Sequence, residues 1–158
     1  MAHGQKTSDR QVVVFAINEQ LFGIDIANVS EIIRLEKVTP IPQAPYYAEG
    51  VINIRGTVIP VINLHTLFGI QTGTRDDKCR VIIAEHGGQK FGLIVDAVYE
   101  VKKITPDQIK PAPPSITVDQ YYLKGIILDG DRLVVLLDPN KILSPKDMEE
   151  LQAMEHQT

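Results

Sequence analysis

Short apolar runs, separated by polar turns that contain glycine, recur along most of the chain. The densest runs are built from Val, Ile and Leu and occupy positions 12–15, 81–83 and 133–137. Short runs of branched apolar residues bounded by turn residues are typical of buried β-strands. The pattern therefore predicts an all-β protein.

The clearest regularity is an internal repeat. Residues 50–64 (GVINIRGTVIPVINL) align without a gap on residues 125–139 (GIILDGDRLVVLLDP), at a constant offset of 75. Each copy contains an apolar strand, a glycine-containing turn, a second apolar strand, and then Asn63 or Asp138. This order predicts a β-hairpin in each copy, followed by a residue that caps the next turn.

A second correspondence lies upstream of each hairpin, where residues 21–26 match residues 90–95 at an offset of 69. Each match follows an apolar strand and a polar turn, and leads into an amphipathic stretch at 29–33 or 97–101. A connector that contains proline follows in both copies. The chain therefore consists of two copies of hairpin, connector and hairpin.

Four or five short strands per copy would close into a small SH3-like or OB-like barrel, which removes exposed sheet edges. We predict a first barrel at about 11–70 and a second at about 78–143, with an exchange of end strands between them left open. The polar segment 72–77 links them and is expected to be exposed. A barrel of about 60 residues is marginal alone, so the two should share an apolar interface.

Both ends of the chain differ from this pattern. Residues 1–10 are polar and are expected to be flexible. Residues 144–158 predict a short C-terminal helix and tail, with Ser144 as N-cap and Pro145 in the first turn. Met148, Leu151 and Met154 would then lie on one face of that helix and pack against a barrel.

Composition narrows the classes of function. The net charge is −4 and the longest basic run is the pair at 102–103, so nucleic acid is not an expected partner. No apolar run approaches the roughly 18 residues that span a bilayer, so direct membrane insertion is not expected. A single cysteine, Cys79, excludes an intramolecular disulfide and favours a cytoplasmic protein.

The sequence offers no catalytic or metal-binding constellation. The four histidines are scattered, and Cys79 has no cysteine neighbour with zinc-ligand spacing. The glycine-containing turns join strand to strand and do not open a helix, so they predict no phosphate loop. We therefore expect no enzyme, no metal and no cofactor.

Polar residues within the apolar hairpins remain to be explained. Asn53 and Arg55 flank the turn of the first hairpin, where the second copy has Leu128 and Gly130. An arginine present in only one copy suggests a binding contact, although an exposed turn residue is the simpler interpretation. Glu31 has the same two interpretations, contact or solvated face.

Residues 50–64 resemble the signature of CheW-type chemotaxis coupling proteins, as do residues 91–98 (FGLIVDAV) and the opening through 22–24. The resemblance extends over about 11–143. It departs from the family at Asn63, where aspartate is common, and at His65, where arginine is common.

This resemblance implies two five-stranded SH3-like barrels and a non-catalytic adaptor. Its partners would be the cytoplasmic tip of a chemoreceptor and the regulatory domain of the chemotaxis histidine kinase, at the inner face of the membrane. Family positions implicated in receptor coupling match Val29, Glu31, Gly50 and Arg55. Apolar candidates beside them, near the expected groove between barrels, are Ile33, Val98 and Val101. The kinase contact is placed at a barrel end of the first unit, on Val38, Thr39, Pro40 and Ile41.

The alternative is an unrelated tandem small-barrel module that binds oligosaccharide or single-stranded nucleic acid. Such sites need stacking aromatic residues with basic neighbours. The aromatic pairs available are Tyr46-Tyr47 and Tyr121-Tyr122, and acidic residues lie close to both.

Overall fold

The structure is a computed structural model that describes residues 10–116 and 118–155. The predicted flexible segment 1–10 therefore lies outside the described residues except for Arg10, as does the end of the tail at 156–158. The strands of the described ranges are β1 (Arg10–Ile17), β2 (Gln20–Asp25), β3 (Val29–Arg34), β4 (Ala48–Ile54), β5 (Thr57–Asn63), β6 (Arg80–His86), β7 (Gln89–Val95), β8 (Ala97–Ile104), β9 (Ile109–Lys110), β10 (Leu123–Asp129) and β11 (Arg132–Leu137).

Helices are few and short. The α-helices are α1 (Leu64–Phe68), α2 (Pro139–Ile142) and α3 (Pro145–Glu155), and 3-10 turns lie at Ile26–Asn28, Pro106–Gln108 and Gln120–Tyr122. Within the described ranges, no helix has the length and apolar character needed to cross a membrane. The predictions of an all-β fold and of a short C-terminal helix are confirmed.

The strands form two sheets, and neither sheet follows the repeat boundaries. The first barrel has the strand order β3-β6-β7-β5-β4, and the second has β8-β1-β2-β11-β10-β9. The opening hairpin of each copy therefore lies in the barrel of the other copy. The strand order thus contains the exchange of end strands that the sequence left open, and the sixth strand of the second sheet is the two-residue β9.

Connection lengths explain the exchange. Only Asp96 separates β7 from β8, and only the 3-10 turn at Ile26–Asn28 separates β2 from β3. A single residue cannot reverse the chain into an adjacent antiparallel strand, because even the tightest hairpin uses two. Asp96 therefore passes the chain from the first barrel into the second, and the turn at Ile26–Asn28 passes it from the second barrel into the first. The exchanged hairpins are joined to their hosts by parallel pairing of β2 with β11 and of β7 with β5.

Three apolar clusters hold the fold together. One lies within the first barrel and one within the second. The largest is shared between them, with Phe15 and Phe22 contributed by the second barrel and Ile82 and Phe91 by the first. This shared cluster is the apolar interface that the small size of the two units predicts.

The C-terminal helix α3 seals one side of the shared cluster. Leu151 and Met154 are buried in that cluster and Met148 packs against it, as the sequence predicts. The helix begins with a reciprocal pair of hydrogen bonds. Ser144 Oγ accepts from the Asp147 amide at 3.1 Å, and Asp147 Oδ2 accepts from the Ser144 amide at 2.9 Å. These bonds satisfy two amides at the helix start that would otherwise lack partners.

Replacing Ser144 with alanine should lower the free energy of unfolding by about 1 kcal/mol, since the side-chain acceptor for the Asp147 amide is lost. Thermal melting of Ser144→Ala should show this against Ser115→Ala, which changes an exposed loop serine. Equal melting temperatures for the two variants would contradict a capping role for Ser144.

Candidate functional site

The candidate receptor-binding residues of β3 alternate along the strand. Val29, Glu31 and Ile33 are half-buried, whereas Ser30, Ile32 and Arg34 are exposed. A bulge at Ser30 shifts the pairing with β6, so that Val29 faces Ala84 and Glu31 faces Ile83. The bulge therefore places Val29 on the side of β3 that packs on the shared cluster, whereas Ile33 lies on the side that faces the cluster of the first barrel.

Arg55 lies in the two-residue turn between β4 and β5. Both turn residues have positive φ, 50° at Arg55 and 86° at Gly56, as in a type I′ turn. Asn53 Oδ1 accepts from the Gly56 amide at 2.9 Å and supports the turn. Arginine is unfavourable in this conformation. The equivalent residue of the second copy, Gly130, has φ 61° and adopts it freely.

The structure brings two of the predicted residues together. Arg55 Nη2 lies 2.6 Å from Glu31 Oε2, with the arginine side chain 74% exposed and the glutamate 28% exposed. The pair spans the seam of the first barrel, between its edge strand β3 and the turn that follows the other edge strand, β4. Sequence reasoning considered the two residues separately and did not predict the ion pair.

A groove of about 290 Å³ lies along this seam. Its apolar lining includes Ile33, Ile52, Ile54 and Val81. Its charged lining residues are Arg34, Lys37 and Arg55 against a single carboxylate, Glu36. The groove therefore combines an apolar surface with an excess of positive charge, which suits a partner that presents apolar and acidic side chains together.

The second barrel has a corresponding seam contact. Glu100, which matches Glu31 at the offset of 69, lies 2.6 Å from Arg132. Arg132 also contacts Asp129 at 2.7 Å, and Lys102 contacts Asp129 at 3.1 Å. Hydrogen bonds from Arg132 and Lys102 hold the pKa of Asp129 below its usual range. A glutamate–arginine pair across the seam is thus common to both barrels, although the arginines are not repeat-related, because Arg132 matches Thr57 at the offset of 75.

Gly50 is buried, and its neighbours explain why it is glycine. Its φ is 151°, and a Cβ atom there would lie 2.2 Å from the Thr39 carbonyl oxygen. Thr39 pairs with Val51 through backbone hydrogen bonds of 2.8 and 2.9 Å. The repeat-related Gly125 has φ 150° and would place a Cβ 2.4 Å from the Lys110 carbonyl oxygen. Glycine is therefore required at position 50 because the Thr39 backbone passes too close for a side chain. Gly50 also lies against the segment predicted to contact the kinase.

That segment follows the edge of β4. Thr39 and Pro40 are exposed, whereas Val38 packs against the cluster of the first barrel and Ile41 against the shared cluster. Only two of the four predicted kinase-contact residues therefore present mainly exposed side chains.

The predicted apolar residues separate into three environments. Val29 and Val98 both pack against the shared cluster between the barrels. Ile33 packs against the cluster of the first barrel. Val101, on β8 opposite Val13, is 47% exposed and belongs to no cluster. Val29 and Val98 therefore pack against the same cluster, Ile33 lies on the seam groove, and Val101 lies on an exposed part of β8.

Asn63 and Asp138 cap the helices that follow their hairpins, as predicted. Asn63 Oδ1 accepts from the Thr66 amide at 3.1 Å, and Asp138 Oδ1 from the Asn140 amide at 3.0 Å. Asn63 also donates to Glu49, which Arg75 holds in a two-point contact of 2.7 and 3.0 Å. Segment 72–77, predicted to link the barrels, instead runs from β5 and α1 to β6 within the first barrel, and it is exposed except at Arg75.

His65 occupies the other position that departs from the family pattern. Its ring is buried, and Nε2 lies 3.2 Å from Asp96 Oδ2 at the connection between β7 and β8. Across the described part of the chain, no cluster of three or more His, Cys, Asp or Glu side chains could hold a metal ion. Cys79 is buried just before β6.

Comparisons with known proteins identify the fold and the family. The family model of the CheW-like domain matches residues 11–146. The chain is 34% identical to the chemotaxis protein CheW of Treponema pallidum, over 89% of this chain and 86% of that protein. It is 35% identical to the chemotaxis protein CheW of Klebsiella aerogenes, over 90% of this chain and 87% of that protein.

A solved structure agrees with these sequence relationships. The crystal structure of the scaffolding protein TtCheW from Thermoanaerobacter tengcongensis superposes with a TM-score of 0.81 and 39% identity, covering 87% of this chain and 90% of that one. Family, sequence and fold therefore agree over the region that contains both barrels. The chain belongs to the CheW-like domain family.

Proposed function

We propose that this protein is a non-catalytic adaptor of chemotaxis signalling, which couples the cytoplasmic tip of a chemoreceptor to the regulatory domain of the chemotaxis histidine kinase. Family membership supports this role, as do relatives named chemotaxis protein CheW and a neighbouring structure named as a scaffolding protein. The adaptor would act in the cytoplasm, at the inner face of the membrane where receptors assemble. The match to the CheW-like domain family favours this function over the alternative, a module that binds oligosaccharide or single-stranded nucleic acid.

The receptor contact is proposed for the seam of the first barrel, and the main observation that supports it is the backbone conformation of Arg55. Arg55 has an unfavourable positive φ, whereas the equivalent position of the second copy is Gly130, which adopts a positive φ freely. A residue kept in a strained conformation is a candidate for function. Beside it lie a groove with apolar walls and the half-buried residues of β3. A helical hairpin could lay apolar side chains into this groove and present a carboxylate to Arg55.

The kinase contact is proposed for the edge formed by Val38, Thr39, Pro40 and Ile41. Thr39 already pairs with β4, so its side chain and Pro40 remain as the accessible surface. This edge and the turn at Arg55 lie at different points of the first barrel, although Gly50 contacts Thr39 directly.

Replacing Arg55 with alanine should weaken binding of a receptor-tip fragment by more than tenfold, or about 2 kcal/mol, if its guanidinium pairs with a receptor carboxylate at the interface. The free energy of unfolding should change by no more than about 0.5 kcal/mol, because an exposed ion pair contributes little. Binding of the kinase regulatory domain should be nearly unchanged. Two titrations and a thermal melt of the same purified variant measure all three quantities.

Arg132→Ala is the matched control. It removes the corresponding ion pair from the second barrel, so it should have a similar small effect on melting and none on receptor binding. A large loss of stability in Arg55→Ala would show that the arginine is structural. Equal weakening of both partners would contradict separate binding sites.

A further inference from the structure

A second cleft lies between the two barrels, away from the residues assigned above. Its volume is about 580 Å³, and its lining includes Tyr46, Leu67, Phe68, Asp119 and Tyr122. These residues come from the connectors that precede β4 and β10 and from helix α1. None of the candidate receptor-binding or kinase-binding residues lines it. The proposed adaptor function therefore does not account for this cleft.

Aromatic residues are concentrated here in a chain that has few. Four of the five tyrosines form the repeat-related pairs Tyr46-Tyr47 and Tyr121-Tyr122, at the offset of 75. Tyr47 is buried and supports the fold, whereas Tyr46 is 73% exposed. Phe68 lies 5.8 Å from the Tyr122 ring, and its counterpart in the second copy is the aliphatic Leu143. One exposed ring beside two half-buried rings gives the cleft the aromatic lining that is typical of binding sites.

The charge beside these rings is negative. Asp119 lines the cleft, where its Oδ1 accepts from the Tyr121 amide at 2.9 Å. Burial raises the pKa of Tyr122, and the nearby Tyr46, Asp119 and Asp147 raise it further. The neighbouring ring already makes a cation–π contact, in which Lys141 Nζ lies 5.6 Å from the centre of Tyr121. A ring face and a carboxylate together favour a positively charged ligand.

We propose that this cleft binds an arginine side chain of a partner protein. A guanidinium is planar, so it can stack between Tyr46 and Tyr122 while it donates to the Asp119 carboxylate. Lysine would supply the charge without the stacking surface. A phosphate-bearing partner is disfavoured by Asp119 and by the net charge of −4. The cleft would give the adaptor a contact that is independent of Arg55.

The test uses the full chain and a minimal probe, the capped tripeptide acetyl-Gly-Arg-Gly-amide. Its citrulline counterpart has nearly the same shape without the charge. In an NMR titration, the arginine peptide should shift the ring resonances of Tyr46, Phe68 and Tyr122 with a millimolar Kd, and the shifts should weaken as salt is added. The citrulline peptide should bind at least about threefold more weakly, because the cation–π attraction and the ion pair are lost.

Two variants place the binding in the cleft. Tyr46→Leu removes a stacking face, and Asp119→Asn removes the charge while keeping an acceptor for the Tyr121 amide. Each should weaken binding by about threefold or more. Tyr99→Leu is the control, since Tyr99 is an exposed tyrosine on β8 outside the cleft. Equal binding of the two peptides, no binding at 20 mM probe (about twentyfold above the expected Kd), or equal effects of Tyr46→Leu and Tyr99→Leu would overturn the proposal.

Discussion

Cutting the chain after Gly73 is expected to leave two fragments that do not fold alone. The N-terminal fragment would keep β1 and β2 but lose β8 and β11, their partners in the second barrel. It would also keep β3, β4 and β5 without β6 and β7, which complete the first barrel. The shared cluster would be divided between the two pieces. Neither fragment retains a complete sheet, and fragments of this size have little core to spare.

Each fragment alone should show poor amide dispersion in NMR spectra and no cooperative melting. An equimolar mixture should regain dispersed spectra and a single transition, because the cut lies in an exposed link and removes no buried contact. A sharp unfolding transition in either isolated fragment would contradict the exchange of hairpins between barrels.

Gly50→Ala is expected to destabilise the protein by about 3 kcal/mol, from a backbone strain of about 1–3 kcal/mol and a similar cost of overpacking. The added Cβ would meet the Thr39 carbonyl oxygen at 2.2 Å, and the backbone on both sides is held by the pairing of Thr39 with Val51. The melting temperature should fall by roughly 6–12 °C. Gly125→Ala should behave alike, since its Cβ would lie 2.4 Å from the Lys110 carbonyl oxygen.

Gly73→Ala is the matched control for both variants. It has open space within 4 Å of an added Cβ and no positive φ, so its melting temperature should change little. If Gly50→Ala melted like Gly73→Ala but no longer bound receptor fragments, Gly50 would be a contact residue. We expect instead that Gly50→Ala melts at a lower temperature than Gly73→Ala. Any loss of receptor binding would then follow from displacement of the segment at Thr39.

The repeat predicted the strands and hairpins well, because the alternation of apolar runs and glycine-containing turns is a local signal. It could not predict which hairpin joins which barrel, since an internal repeat has the same offsets with or without exchange. The useful signal was the length of the connections. A lone Asp96 between two apolar strands rules out a return into the same antiparallel pair.

The candidate site was predictable residue by residue but not as an arrangement. Family resemblance pointed to Glu31 and Arg55, yet their ion pair depends on how the barrel seam closes, which is a long-range property. The resemblance also grouped Gly50 with them, whereas the structure gives it a separate physical role beneath Thr39. The cleft proposed to bind arginine brings Tyr46 and Tyr122, both members of the aromatic pairs that the sequence offered, beside Phe68, and this arrangement depends on how the barrels pack.

The route of the chain between the barrels has a mechanical consequence. It crosses at Ile26–Asn28, crosses back at Asp96, and returns once more when α3, after β11, packs on β5. Bending one barrel against the other would require all three crossings to deform together and the shared cluster to open. A single flexible linker would absorb a displacement, but this molecule should behave as a stiff spacer. A shift imposed on one barrel would then move the other by a comparable distance, with little lost to internal rearrangement.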